Sequence, residues 1–141
     1  MSAGHFLLDV NALVGLLWNV HSLHSRAHAW FARENPLVLG CTLTELSFVR
    51  VSMADRTIAA SYADAERSLA QFIGALGTRY RFVEAVPPCA LLKGRTPRTH
   101  KEVSDLYLCA LAEANGAKLA TLDAGIRDPA AMLIAYRVYG R

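Results

Sequence analysis

Two short apolar runs, each ending beside an aspartate, limit what this chain can fold into. Phe6-Leu7-Leu8 leads to Asp9, and Leu119-Ala120-Thr121-Leu122 leads to Asp123. Runs this short, and apolar without alternation, read as strands buried on both faces, the habit of parallel sheets. Residues 37–41 and 81–85 supply two more strand candidates. Helical spacing fills the intervals. Leu13, Leu16 and Leu17 share a face over residues 11–18, and a second helix starts near Ser22 and stops at Pro36. A third, capped by Thr42 or Thr44, carries Leu46, Val49, Val51 and Met53, and an Ala-rich stretch predicts a helix over 58–76. Ser104 is placed to cap a helix over 105–115 that Gly116 closes, and the apolar tail 132–139 reads as an edge strand. Strands alternating with helices predict an α/β fold with a mainly parallel sheet, whose ligands sit beyond the carboxyl ends of the strands.

Composition narrows the class further. At 141 residues, one domain spanning 1–141 is expected. With 53% hydrophobic and 19% charged residues, the chain is neither disordered nor a bulk-charge nucleic-acid coat. Its net charge of +3 merely permits a polyanionic partner. The three cysteines, Cys41, Cys89 and Cys109, have no CxxC spacing and suit free thiols in a reducing compartment. No Lys or Arg precedes Arg26, and Asp9 and Asn11 interrupt the first apolar stretch, so an export signal is not expected. Without a run of about 20 apolar residues, a cytoplasmic protein with no membrane segment is expected.

The acidic residues separate by context. Asp9, Glu45, Asp105 and Asp123 are each flanked by apolar residues, at a strand end or in the first turn of a helix. In a doubly wound sheet those places face one crevice. Taken alone, each reads as a helix cap or dipole partner. Together they repel, by roughly 4 kcal/mol for a pair 4 Å apart at an effective dielectric near 20, and so call for a proton or a cation. Oxygen-only donors select hard ions, and Mg²⁺ or Mn²⁺ among carboxylates is the chemistry of phosphodiester hydrolysis.

A basic, turn-prone loop precedes Asp105. Its Lys93, Arg95, Arg98, His100 and Lys101 suit RNA phosphates, with Arg95, Arg98 and Lys101 the candidate substrate contacts, although a solvated loop reads equally well. Arg50 reads either as the partner of a carboxylate or as a residue holding its helix in place. Trp18, Phe48 and Tyr107 read as core rather than as base-stacking platforms. His21, His24 and His28 share a helix face, where capping and packing outweigh a zinc site.

Phe6-Leu7-Leu8-Asp9-Val10-Asn11-Ala12-Leu13, then Thr42-Leu43-Thr44-Glu45-Leu46 with Arg50, then Ser104 to Ala112, and last Thr121-Leu122-Asp123 resemble, in order and spacing, the signature of PIN-domain ribonucleases of the VapC toxin type. The resemblance implies a three-layer α/β/α sandwich, a Mg²⁺- or Mn²⁺-dependent endoribonuclease, frequent homodimers and a cognate antitoxin that blocks the site. By motif position it implies Asp9, Glu45, Asp105 and Asp123 as the acidic quartet, with Asp9, Asp105 and Asp123 as metal ligands. Asn11 and Thr121 are implied as hydrogen-bonding supports. One departure stands out: Ala124-Gly125-Ile126 follows Asp123 where many relatives carry polar residues, which leaves Asp128 as an alternative source of charge. Two rival readings remain. A haloacid-dehalogenase-type phosphatase would want a second Asp where Asn11 stands, and a PIN-like module could bind RNA or a partner without cleaving.

Overall fold

The computed structural model describes residues 4–92 and 94–135. Lys93 and residues 136–141, which include part of the expected tail strand, lie outside the described residues. Five parallel strands form the sheet in the order β3-β2-β1-β4-β5. In chain order, β1 (His5–Leu8) leads into α1 (Val10–Leu17) and α2 (His24–Glu34); β2 (Leu37–Gly40) leads into α3 (Thr42–Ala54) and α4 (Tyr62–Leu76). Then come β3 (Tyr80–Phe82), a one-turn α5 (Pro88–Leu91), α6 (Glu102–Ala114), β4 (Lys118–Thr121) and β5 (Ala131–Leu133).

Strand side chains alternate between two apolar layers. Leu8, Val38 and Ala120 pack with Leu13, Trp30, Phe48 and Leu69 on one face, under α1 to α4. Leu7, Leu39 and Leu119 pack with Leu108, Leu111 and Ala112 of α6 on the other. Helices on both faces of the parallel sheet that the strand–helix alternation predicts make the three-layer α/β/α sandwich that the resemblance implies. The chain leaves β1 for β2 on one side and reaches β4 on the other. The switch point therefore lies between β1 and β4, and both strands deliver an aspartate there.

The interior also settles the aromatic residues. Phe48 is fully buried and stacks on Trp18, with centroids 6.2 Å apart and planes 3° apart. Trp18 Nε1 donates to Ser52 Oγ at 2.8 Å. Tyr107 Oη donates to the Val86 carbonyl at 2.8 Å and accepts from its N–H at 3.1 Å. All three are structural.

Several expected boundaries move. Helix α2 starts at His24 rather than near Ser22 and ends on Asn35, whose φ of 44° is left-handed. Neither Thr42 nor Thr44 caps α3: Cys41 is the N-cap residue, and Thr44 donates back to the Cys41 carbonyl at 3.2 Å. Helix α4 begins at Tyr62, not Ile58, because Ser61 Oγ accepts from Asp64 N–H while Asp55 Oδ1 gathers Thr57 and Ile58 into a turn. Helix α6 begins at Glu102, so Ser104 lies inside its first turn instead of capping it. Glu102 Oε1 accepts from Arg98 N–H at 2.8 Å, bracing the loop ahead of that helix.

Candidate active site

Asp9 leaves β1 and becomes the N-cap of α1. Its own N–H extends the sheet by donating to the Ala120 carbonyl at 2.9 Å, and its Oδ1 accepts from Val10 N–H at 2.8 Å. Its other oxygen accepts from the Thr121 hydroxyl at 2.7 Å. That hydroxyl is a hub, accepting in turn from Asn11 Nδ2 at 3.3 Å and Asp123 N–H at 3.0 Å. A hydroxyl has one proton and two lone pairs, and here all three are used. Asn11 Oδ1 accepts from Leu122 N–H at 2.9 Å, which ties the start of α1 to the end of β4. Asn11 and Thr121 thus fix the orientation of Asp9 and the exit of the chain towards Asp123.

Asp9, Asp105 and Asp123 line one crevice of ≈ 430 Å³, together with Asn11, His21 and Arg50. Three separate elements supply the carboxylates, and none of the three is in an ion pair among the described residues. Burial, and then the neighbouring charges of Asp9, Asp123 and Glu102, push the Asp105 carboxyl up to about 6. Asp9 is also raised, first by burial and further by the charge of Asp123, against the lowering effect of its hydrogen bonds to Thr121 and Val10. The crevice holds an excess of negative charge, answered only in part by Arg50 on its wall, which makes no ion pair with these carboxylates among the described residues.

Among the described residues, no three His, Cys, Asp or Glu side chains are drawn together tightly enough to cage a metal ion. The donor set nonetheless fits a hydrated hard cation, since Mg²⁺ uses one or two carboxylates and keeps several waters. An ion among these carboxylates would also offset the repulsion that raises Asp105.

The fourth acidic candidate lies elsewhere. Leu43, Ser47 and Arg50 share the crevice face of α3, and Glu45, two residues from Leu43 and from Ser47, points roughly 160–200° away at 3.6 residues per turn. Its carboxylate accepts a hydrogen bond from Tyr80 Oη. Burial raises the Glu45 carboxyl and the Tyr80 phenol alike. Gly40, the last residue of β2, leaves room for this pair: a Cβ there would strike Glu45 Oε2 and Tyr80 Oη. The quartet implied by motif position is therefore a trio here, with Glu45 tying α3 to β3.

The basic candidates also separate. Arg95 is not open to a substrate: Nε lies 2.9 Å from Asp128 Oδ2, and Nη2 lies 3.3 Å from both Asp128 Oδ1 and Glu113 Oε1. Burial works to raise Asp128, but the hydrogen bonds from Arg95 and Ala130 and the charge of Arg95 outweigh it and hold the carboxyl below its usual range. Asp128 is thus committed to Arg95, and Asp123 stands on the crevice wall. Lys101 is exposed at the N-cap of α6 and lines neither the crevice nor the neighbouring groove. Arg98 lines that groove with an exposed side chain. Arg50 lines the crevice and makes no ion pair among the described residues, so neither of its expected anchoring roles is seen as an ion pair.

Sequence reasoning overlooked Arg127 in the groove, and it put His21 on one helix face with His24 and His28, whereas α2 starts at His24 and His21 lines the crevice. His21 Nδ1 accepts from Leu23 N–H at 3.1 Å, while His24 Nδ1 meets the Gly15 carbonyl at 2.9 Å. The histidine run therefore splits between crevice lining and helix packing.

No protein-family model matches the chain. Among curated proteins, it is similar to Ribonuclease VapC38 of Mycobacterium tuberculosis strain ATCC 25618 / H37Rv, 37% identical over 125 residues, 85% of this chain and 86% of that one. Among solved structures, its fold is similar to that of Mycobacterium tuberculosis VapC20, described as a Sarcin-Ricin loop cleaving toxin, with a TM-score of 0.61 at 12% identity over 83% of this chain and 87% of that one. It is also similar to a chain of VapBC2 from Rickettsia felis, solved bound to a promoter DNA fragment, with a TM-score of 0.53 at 14% identity over 84% and 88%.

Proposed function

The chain belongs to the PIN-domain ribonucleases of the VapC type, and from that premise we propose that it is the endoribonuclease toxin of a toxin–antitoxin pair, cutting RNA phosphodiester bonds with Mg²⁺ or Mn²⁺ held among Asp9, Asp105 and Asp123. The observation that carries this reading is the meeting of three unpaired carboxylates, from three elements, in one crevice at the switch point of the sheet. When bound, the ion supplies Lewis-acid polarisation of a phosphoryl group and neutralises charge among the carboxylates.

The chain's own residues do the positioning. The Thr121 hydroxyl holds one Asp9 oxygen, and the N–H at the start of α1 holds the other. Asn11 keeps Thr121 in register with Leu122. Asp105, in the first turn of α6, brings the third carboxylate to the crevice and would hold the ion together with Asp9 and Asp123. Arg50 on the crevice wall supplies positive charge to the bound phosphodiester.

Partners follow from the same reading. The RNA lies across the crevice, and the antitoxin covers it. Leu46 and Met53, seven residues apart on α3 and 67% and 47% exposed, form an apolar stripe suited to a homodimer contact. Among the described residues no helix is long and apolar enough to cross a membrane, and with RNA as substrate we place the protein in the cytoplasm.

Calorimetric titration with Mn²⁺ tests the metal site. Binding is expected in the wild type and is expected to be lost in Asp105→Asn; a wild type that binds no divalent ion contradicts the reading. The same variant has a stability signature. A carboxyl raised in the folded state binds its proton more tightly there, so its ionisation lowers stability as pH rises from 3.8 through about 6. Without metal, Asp105→Asn is therefore expected to be more stable than the wild type at pH near 7.5, by on the order of 1 kcal/mol after solvent screening of this partly exposed group, with the gap closing below pH of about 4. Thermal melts at the two pH values check this.

A further inference from the structure

Asp105 borders two clefts. On one side lies the acidic crevice, and on the other a groove of ≈ 460 Å³ lined by Arg95, Thr96, Arg98, Glu102, Arg127 and Asp128, among others. Its three arginines are not equivalent. Arg95 has its charge answered by Asp128 and Glu113, and its side chain is only 18% exposed. Arg98 and Arg127 are exposed, and neither guanidinium is in an ion pair among the described residues. Glu102, the acidic neighbour of Arg98, uses Oε1 to accept from the Arg98 backbone N–H.

The two exposed arginines stand on different loops, Arg98 ahead of α6 and Arg127 between β4 and β5. The Arg95–Asp128 pair bolts those loops together, and Asp128 Oδ1 also accepts from Ala130 N–H at 2.9 Å, which holds the backbone just after Arg127. The groove is thus braced from within, with its uncommitted positive charge on the outside. An anionic strand entering a crevice of three carboxylates meets repulsion, and cationic charge one step along the same surface offsets it.

We infer that this groove is a phosphate subsite for the RNA backbone beside the scissile linkage, with Arg98 and Arg127 as the phosphate contacts and Arg95–Asp128 as the strut that spaces them. The inference rests on the ribonuclease reading and extends it to the path of the substrate. Backbone contacts of this kind position a strand without reading its sequence.

The test is binding of a short fluorescent single-stranded RNA of mixed sequence to the full chain carrying Asp9→Asn, which removes cleavage, over a range of salt. Each phosphate contact contributes about −0.7 to the slope of log K against log salt for single strands. Arg98→Gln and Arg127→Gln are each expected to lower the slope by about that amount and to weaken binding several-fold. In the otherwise wild-type enzyme, they are expected to raise KM and leave kcat within about twofold. Arg95→Gln, which cuts the strut, is expected to lower Tm and to weaken RNA binding with a smaller change in slope than either, since both exposed arginines are still present. Slopes unchanged in both Arg98→Gln and Arg127→Gln, with the parent still binding and the wild type still cutting RNA, overturn the groove alone. A slope unchanged there while an acidic antitoxin segment loses affinity assigns the groove to the protein partner and likewise overturns the inference. A parent that binds no RNA, with a wild type that cuts none, removes the ribonuclease reading and the groove together.

Discussion

Asp9→Asn is expected to slow RNA cleavage by at least ~100-fold without unfolding the protein. The substitution keeps the shape of the side chain and removes its charge. Its amide oxygen still accepts one of the two bonds that Asp9 now accepts, from Val10 N–H or from the Thr121 hydroxyl. At the other position an N–H₂ group replaces an acceptor, so one bond must reverse or be lost. The cost is offset because a charge 5% exposed, and repelled by Asp123, is no longer buried. The Asp105 carboxyl, raised partly by Asp9, is expected to fall back towards its ordinary range in the variant. Initial cleavage rates and thermal melts measured side by side check both halves. Cleavage within tenfold of wild type contradicts the placement of the site.

A second large effect is expected on stability rather than on the chemical step. Arg95→Met is expected to destabilise the fold by about 3 kcal/mol, because it strands Asp128, whose side chain is only 7% exposed, without its counter-charge. For a chain of this size that corresponds to a loss of roughly 10 °C in Tm. The pH dependence carries the sign. Asp128 is held below its ordinary value of 3.8, so the pair's contribution is fully present above that pH and is lost as pH falls through the depressed value. The gap between wild type and variant is therefore expected at neutral pH and closes only in acid. Asp128→Asn added to Arg95→Met is expected to recover part of the loss, since no buried charge is then left alone. A variant as stable as the wild type at neutral pH contradicts the strut and, with it, the bracing of the groove.

These two residues illustrate how much of the site is legible in the chain. Asp9 and Asp123 follow apolar runs that have to become buried strands, and a parallel sheet places the ends of such strands at its switch point. Asp105 is legible because Leu108, Leu111 and Ala112 fix the buried face of α6 and leave its first turn towards the crevice. Local pattern is enough in each case. Glu45 and Arg95 sit apart from the crevice trio for a common reason: their partners, Tyr80 and Asp128, lie 35 and 33 residues away. Motif position puts Glu45 in the acidic set, whereas the rotation of α3, set by packing of Phe48 against Trp18, turns it to the other side of the helix. A basic loop likewise reads as substrate-binding until a distant carboxylate claims one of its arginines.

The boundaries tell the same story on a smaller scale. Residues 58–61 extend the Ala-rich pattern of α4, yet Ala59 adopts a left-handed φ of 46°. The Asp55 turn and the Ser61 cap leave no room for an earlier start. Alanine content favours a helix wherever one is allowed, but capping decides where it begins.

The most direct measurement is digestion of a total-RNA preparation by the purified wild-type chain, with Mg²⁺ or Mn²⁺ and with EDTA, the fragments being mapped by their ends. The account predicts discrete internal cuts that require the added metal and vanish in EDTA. Cleavage that persists undiminished in EDTA, or a folded, Mn²⁺-binding chain that leaves every RNA intact, would contradict it.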